Sequence, residues 1–316
     1  MLGLFKGFDQ IHGRLTPKVS VIIPFYAGAG WLEEAVGSAV RQTYENTEII
    51  LVNDGSPEDV GGVLGRFAGK IRYFHKDNGG PGSARNLGIE NSAGEFIAFL
   101  DSDDVWEERK IEKQLGLMTA TGAAWSHTGY TLFRGGNPRR AEKTVDVSAC
   151  RGDVFLRCLR SAPIATPCVM IRAEILRESP NLRFSEKMRY GQDSLFWINL
   201  AARYPLAAVP EVLTRVRIRG GNAARRARVQ LQAKAQIWEE FIRDRARPEA
   251  ERIDGATRLG YRMCHRADAA VKRLEQRGRL PKRAVEILSR GLYAAPYVLL
   301  KLREVLSARA DRRRTP

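Results

Sequence analysis

Residues 96–104, Phe-Ile-Ala-Phe-Leu-Asp-Ser-Asp-Asp, constrain the fold more than any other stretch of this chain. Five apolar residues run directly into three carboxylates. A run without polar alternation predicts a strand buried on both faces, as in a parallel sheet covered by helices. An isolated carboxylate is too costly to bury there, so Asp101, Asp103 and Asp104 belong at the strand's carboxyl end. In open α/β sheets that end is where ligands bind. Asp101 and Asp103 lie two apart and share one face of an extended backbone. Two hard oxygen donors at one strand tip suit Mg²⁺ or Mn²⁺, and such an ion suits a diphosphate. The competing reading is that residues 102–104 only cap a helix starting near Val105.

The neighbouring sequence supplies the rest of such a sheet. Residues 19–24 form a short apolar strand stopped by Pro24, and 31–42 carry Leu32, Ala35, Val36 and Ala39 at helical spacing. Residues 48–53 are a second strand, ending in an Asp54-Gly55-Ser56-Pro57 turn that opens another helix. Residues 71–75 are a third strand, 78–83 a glycine-rich loop and 84–90 a helix. The strand ending at Leu100 follows, then a helix over about 106–121. Strand and helix alternate four times, which predicts an α/β fold with a mostly parallel, Rossmann-like central sheet flanked by helices.

After Trp125 the pattern becomes mixed. Strands are expected over 124–133, 168–171 and 212–218, with helices over 152–159 and 192–203. Beyond Asn222 the chain reads as helix in four blocks, 223–243, 248–277, 281–294 and 296–310. The domain plan is an amphipathic segment over 1–17, a catalytic-type domain over 18–222, a basic helical region over 223–310 and a disordered tail over 311–316. The first segment, with Leu2, Leu4, Phe5, Phe8 and Ile11 around Lys6, lacks the apolar core and cleavage site of a signal peptide. Packing on the domain is favoured for it over lying on a membrane.

Charge is unevenly placed. The net charge is +16, and from Gly220 onward there are 24 Lys/Arg against 11 Asp/Glu. That surplus points to an anionic partner, a phospholipid surface, an anionic glycan or nucleic acid, against the alternative of a merely solvated arginine-rich helical surface. No nucleic-acid recognition motif is present, so no nucleic acid is expected. No run of 18 uncharged apolar residues exists, so no transmembrane helix is expected. Cys150, Cys158, Cys168 and Cys264 have no metal-type spacing and read as reduced core residues of a cytoplasmic protein. The four histidines do not cluster. In the last helical block Leu299, Leu302 and Leu306 share one face near Arg290, Lys301, Arg303 and Arg309. This suggests docking at the inner face of the plasma membrane; the competing reading is that the face packs on the catalytic-type domain and the charges are solvated.

Four stretches fall at predicted carboxyl ends of strands: Pro24-Phe25-Tyr26, Asn53-Asp54-Gly55-Ser56, 78–86 and 101–104. Together with their strands, their order, spacing and content resemble the family 2 glycosyltransferases of GT-A fold, over roughly residues 19–218. The resemblance implies inverting transfer of a sugar from a nucleotide donor, aided by Mn²⁺ or Mg²⁺. Carried over residue by residue, Pro24 and Tyr26 would line the nucleoside pocket and Asp54 would bind the base, most often uracil. Arg85 would support the nucleotide loop, Asp101 would face the ribose or the metal, and Asp103 would be the principal metal ligand. Asp104 would stand behind them.

Two departures from the family pattern matter. A Glu-Asp pair usually opens a later helix; here it is Gln192-Asp193, so Asp193 fits the catalytic base while Gln192 replaces the acid before it. Where many members have a metal-binding histidine, Arg219 stands. Arginine stays protonated and cannot serve as an ordinary metal ligand, but it can pair with a diphosphate. The expected partners are a UDP-linked sugar donor and a glycan or lipid-linked acceptor, in polysaccharide synthesis. The transferred group would be a hexose or N-acetylhexosamine. The alternatives are another nucleotide-sugar enzyme, or a catalytically degenerate module that binds glycan or membrane.

Overall fold

The apolar strands of the first half become four parallel neighbours. The computed structural model describes residues 16–219, 226–278 and 281–314, so the 1–17 segment lies outside the described residues except for its last two. The strands are β1 (Val19–Phe25), β2 (Thr47–Asp54), β3 (Ile71–Lys76) and β4 (Phe96–Phe99), alternating with α1 (Ala29–Val40), α2 (Gly61–Arg66) and α3 (Gly80–Glu90). Every residue of β1 and β4 is buried, which accounts for their apolar sequences, and the one polar member, Ser20, donates to Glu48 Oε1 at 2.6 Å. Their order is β3-β2-β1-β4, all parallel. The chain steps outward from β1 to β2 and β3, then returns to the other side of β1 as β4. The loops therefore diverge between β1 and β4 and leave a crevice at the carboxyl ends.

The second half extends this sheet with mixed pairings, as its sequence suggests. It contains β5 (Val105–Trp106), α4 (Lys110–Thr121), β6 (Trp125–Phe133), β7 (Ala141–Val145), α5 (Phe155–Arg160), β8 (Met170–Arg172), α6 (Ala173–Glu178), α7 (Gln192–Ala201) and β9 (Leu206–Arg217). The sheet continues β8-β6-β9-β5, with β7 beside β6. β8 runs antiparallel to β4 and β6, while β9 is parallel to β6. The expected strand over 212–218 begins earlier, at Leu206. Its register against β6 shifts around Gly129, opposite Pro210-Glu211, where proline has no N–H to give the ladder.

The helix expected near Val105 is a correction. Val105-Trp106 pairs antiparallel with Thr214-Arg215 of β9, and α4 begins only at Lys110. Trp106 is held by its indole N–H to the Pro167 carbonyl at 2.7 Å and its backbone N–H to Ser38 Oγ at 3.1 Å. These contacts hold the backbone extended, so residues 102–104 do not cap a helix.

At the C-terminal side lie α8 (Ala227–Ile237), a π turn over Trp238–Ile242, a 3-10 turn over Pro248–Arg252, α9 (Gly255–Gln276) and α10 (Lys282–Arg314). The two helices expected on either side of residue 295 are one. Pro296 lies inside α10 and is buried, so packing of its ring outweighs the hydrogen bond that proline cannot make. The helix is assigned as far as Arg314, into the stretch expected as a disordered tail.

Two cores flank the sheet. One joins Val21, Ile23 and Leu51 to Leu32, Val36, Ile111 and Leu115 of α1 and α4. The other joins Phe99 and Trp125 to α5 and α7, and also to Ile237, Phe241, Tyr261 and Leu300 of the C-terminal helices. The helical region is thus continuous with the sheet's own core. Arg160–Asp254 and Arg157–Glu304, both at 2.7 Å, tie α5 to α9 and α10.

Candidate active site

The carboxyl ends of β1 to β4 open on one cavity of about 900 Å³. Its walls include Pro24, Tyr26, Asp54, Arg85, Asp101, Asp103, Asp193 and Arg219, so every site residue expected from the sequence lies on this one cavity. Pro24 does not stop β1 but lies within it, one residue before its end at Phe25, and Tyr26 follows. Tyr26 is half exposed, a ring at the rim available for stacking.

Asp54 ends β2 and is buried. Its Oδ1 accepts from Lys76 Nζ at 3.0 Å and from Gly79 N at 2.9 Å, and its Oδ2 accepts from Gly80 N at 2.8 Å. An ionised carboxylate has about four acceptor positions. One on Oδ2 remains, enough for a single N–H of a ligand. Asp54 therefore also organises the start of α3. Lys76, at the end of β3, escaped the sequence reading, although its strand-end position was a usable signal.

Asp101 and Asp103 are each held by an arginine. Arg85, on α3 and 5% exposed, donates from Nη2 to Asp101 Oδ1 at 2.6 Å and lies 5.3 Å from the Phe184 ring centroid. Arg219, just past β9, donates from Nε to Asp103 Oδ2 and lies 5.1 Å from the Trp31 centroid. Arg217 is buried and fixes the same loop. Its backbone N–H reaches Asp104 Oδ1 at 2.7 Å and its Nε reaches the Asp103 carbonyl at 2.8 Å. Burial, with the charges of Asp103 and Asp101 adding to it, pushes the Asp104 carboxyl well above the usual carboxylate range. Asp104 thus stands behind the pair and does not line the cavity.

Asp193 sits in the first turn of α7, where the helix dipole favours negative charge. Its Oδ1 accepts from Ser194 N at 2.7 Å. Aromatic packing fixes the helix: Phe184 lies 4.2 Å from Phe196 and 5.4 Å from Phe99, centroid to centroid. Asn86 pins the approach to it, donating to the Phe184 carbonyl and to Glu186 Oε1, both at 2.9 Å. Gly191, with φ 77°, precedes the helix, and a Cβ there would lie 2.7 Å from that of Ala233. Both facts demand glycine. Ala233 belongs to α8, which lends Val229, Gln230 and Ala233 to the cavity wall. The sequence reading missed this wall and the 186–190 stretch, because neither carries a local motif. Gln192 is buried, and among the described residues its Oε1 has no hydrogen-bond partner.

Mg²⁺ or Mn²⁺ commonly binds through one or two carboxylates, with substrate phosphates and water completing the shell. Asp101 and Asp103 supply that number of hard donors on the cavity wall. Among the described residues no group of three His, Cys, Asp or Glu side chains is arranged for a metal. The donor set therefore fits a divalent ion that takes its remaining ligands from outside the protein, with one oxygen of Asp103 engaged by Arg219. His127 is buried against the Cys150 carbonyl, away from any such role.

Residues 20–179, half of the chain, match the model of "Glycosyl transferase family 2". An uncharacterized glycosyltransferase of Rickettsia bellii is 42% identical over 208 residues, covering 65% of this chain and 29% of that protein. One of Rickettsia typhi is 32% identical over 253 residues and 77% of each chain. The chain spans only about a third of the length of the first relatives it matches. Among solved structures, Staphylococcus aureus TarS 1–349 in complex with UDP-GlcNAc superposes with TM-score 0.57 at 15% identity, over 92% of both chains. The mannosyltransferase PcManGT of Pyrobaculum calidifontis, in complex with GDP-Man and Mn²⁺, gives 0.58 at 18% identity, over 92% of this chain and 87% of its own. At those identities the structures speak for the fold, and the GT-A arrangement of a curled mixed sheet with flanking helices is common to all three. The family model and the Rickettsia typhi relative carry the assignment: this chain belongs to glycosyl transferase family 2.

Proposed function

We propose that the chain moves a hexose or N-acetylhexosamine from a UDP-linked donor to a hydroxyl of a glycan or lipid-linked acceptor, with inversion. The observation that carries this reading is the meeting of Tyr26, Asp54, the Asp101–Asp103 pair and Asp193 on one cavity. The donor classes named for the two structural neighbours, UDP-GlcNAc and GDP-Man, support a nucleotide sugar. Tyr26 stacks on the base and Asp54 accepts its imide N–H at the remaining position of Oδ2. Arg85 holds Asp101 toward the nucleotide. Asp193 takes the proton of the acceptor hydroxyl. That oxygen bonds to the anomeric carbon as the bond from this carbon to the diphosphate breaks, its electron pair leaving with the phosphate. A divalent ion on Asp101 and Asp103 would supply charge stabilisation for the leaving diphosphate. The basic helical region supports a location at the inner face of the plasma membrane, in synthesis of a surface polysaccharide.

The test is Asp193→Asn, with donor binding and transfer measured on the same preparation. A lost general base costs about 10²–10⁴-fold in rate. Donor affinity should stay while transfer falls by at least the lower figure. Near wild-type turnover would remove Asp193 from the mechanism. A wild type that binds UDP but neither transfers nor hydrolyses the sugar would leave a binding module in place of an enzyme.

A further inference from the structure

The two arginines on the aspartate pair are not equivalent. Arg85 is buried in α3 against Phe184 and cannot leave Asp101 without exposing that packing. The Arg219 side chain is 39% exposed and lies against the Trp31 ring. Asp103, by contrast, is 8% exposed, so a ligand has few directions from which to reach it. Arg219 occupies one of its carboxylate oxygens. A divalent cation seeking the same oxygen meets both a filled position and a like charge. Arg217 also holds this loop, through the Asp103 carbonyl and the Asp104 carboxylate. A diphosphate offers the guanidinium a better partner than one carboxylate, since the planar fork matches phosphate oxygens in pairs.

We infer that Arg219 is an exchange latch. Without donor it pairs with Asp103 and bars a divalent cation from it. The donor's diphosphate draws Arg219 away and frees Asp103, so cation and donor bind cooperatively. The inference rests on the cavity being a nucleotide-diphosphate site. By linkage each ligand raises the other's affinity by the same factor, and couplings of this kind run to about 5–150-fold.

The experiment titrates Mn²⁺ into the full chain without nucleotide, following free ion by electron paramagnetic resonance. Wild type should bind weakly and Arg219→Ala about ten-fold tighter or more. Arg219→Lys, which keeps the charge without the fork, should fall between. In an Asp103→Asn background, Arg219→Ala should bring no gain, which separates release of Asp103 from a general loss of positive charge. In a separate titration with metal chelated, Arg219→Ala should weaken UDP binding. Equal Mn²⁺ affinity in wild type and Arg219→Ala overturns the latch, as does an equal gain in the Asp103→Asn background or no Mn²⁺ binding in any variant. Failure of wild type to bind UDP with or without Mn²⁺ would instead overturn the nucleotide-sugar reading.

Discussion

Lys110 shows how a single residue sets a pH dependence. It has no exposed surface; its Nζ donates to Gln114 Oε1 at 2.6 Å and lies 3.9 Å from the Trp106 ring centroid. Burial pushes its ammonium group from the ordinary 10.5 down to about 7. Between those values the unfolded chain binds more protons than the folded one, so stability rises with pH there. Below about pH 7 the penalty of the buried charge is complete; toward 10.5 it disappears. Urea unfolding of wild type and Lys110→Met across this range tests it. Wild type should gain on the variant by up to about 1.4 kcal/mol per pH unit between 7 and 10. A difference that does not change with pH would show that the lysine carries its charge in the folded chain throughout. Gln114 loses a partner in the variant at every pH, so that loss shifts the difference without tilting it.

Among the elements, α10 presents two apolar faces. Val285, Pro296 and Leu300 are buried on the inner one. On the outer one Ile287, Val298, Leu302 and Val305 are 70, 50, 55 and 46% exposed, and Gly291 and Ala294 complete a stripe at three- and four-residue spacing. Leu299, expected on the docking face, is half-buried, so the exposed stripe is rotated toward Val298 and Val305. Exposed Arg283, Arg290 and Lys301 run along one flank of it. No helix among the described residues is long and apolar enough to cross a membrane. Apolar residues edged by cations suit an anionic bilayer surface, each basic group contributing about 1 kcal/mol near it. The full chain is therefore expected to co-sediment with phosphatidylglycerol vesicles and not with phosphatidylcholine vesicles. Salt should weaken this, and Val298→Asp with Leu302→Asp should reduce it by about ten-fold or more. Protein remaining in the supernatant with anionic vesicles at low salt would end the idea.

At the scale of the whole molecule, the C-terminal helices and the sheet share one core, so they should unfold together. Asp254 is the hinge of this expectation. It caps α9, accepting from Ala256 N and Thr257 N at 3.1 Å, and it holds the buried Arg160. Burial opposes its charge, but Thr257 and Arg160 together hold its carboxyl well below the usual carboxylate range. Its contribution is therefore present above the unfolded value and is lost only as pH falls through the carboxylate range. Asp254→Ala removes a cap, worth about 1 kcal/mol, and takes one charged partner from the buried Arg160 guanidinium, which keeps Thr257 and Glu304, at about 1.5–3 kcal/mol. Calorimetry should show one transition in wild type and one, at lower temperature, in the variant. Two transitions, only one of them shifted, would mean that the helices form a separate unit.

Strand β4 and the aspartates after it were legible in the sequence because burial on both faces writes an apolar run, and an unpaired charge cannot enter it; β1 and β2 read almost as clearly, while the exposed β3 was marked only by its place in the alternation. For the same reason the candidate residues could be placed at strand ends before any contact was known. Local patterning could not decide what partners the chain meets later. The β5 pairing with β9, the passage of α10 through Pro296 and the wall that α8 gives the cavity depend on packing between residues far apart in sequence. Nor could it show that Asp101 and Asp103 each face an arginine, since Arg219 lies 116 residues from Asp103. By itself the sequence determined the parallel half-sheet, the family and the chemistry available at the strand tips. Only the tertiary structure decided how those charges are paired, because pairing is set by distance in space and by how much water each group has lost.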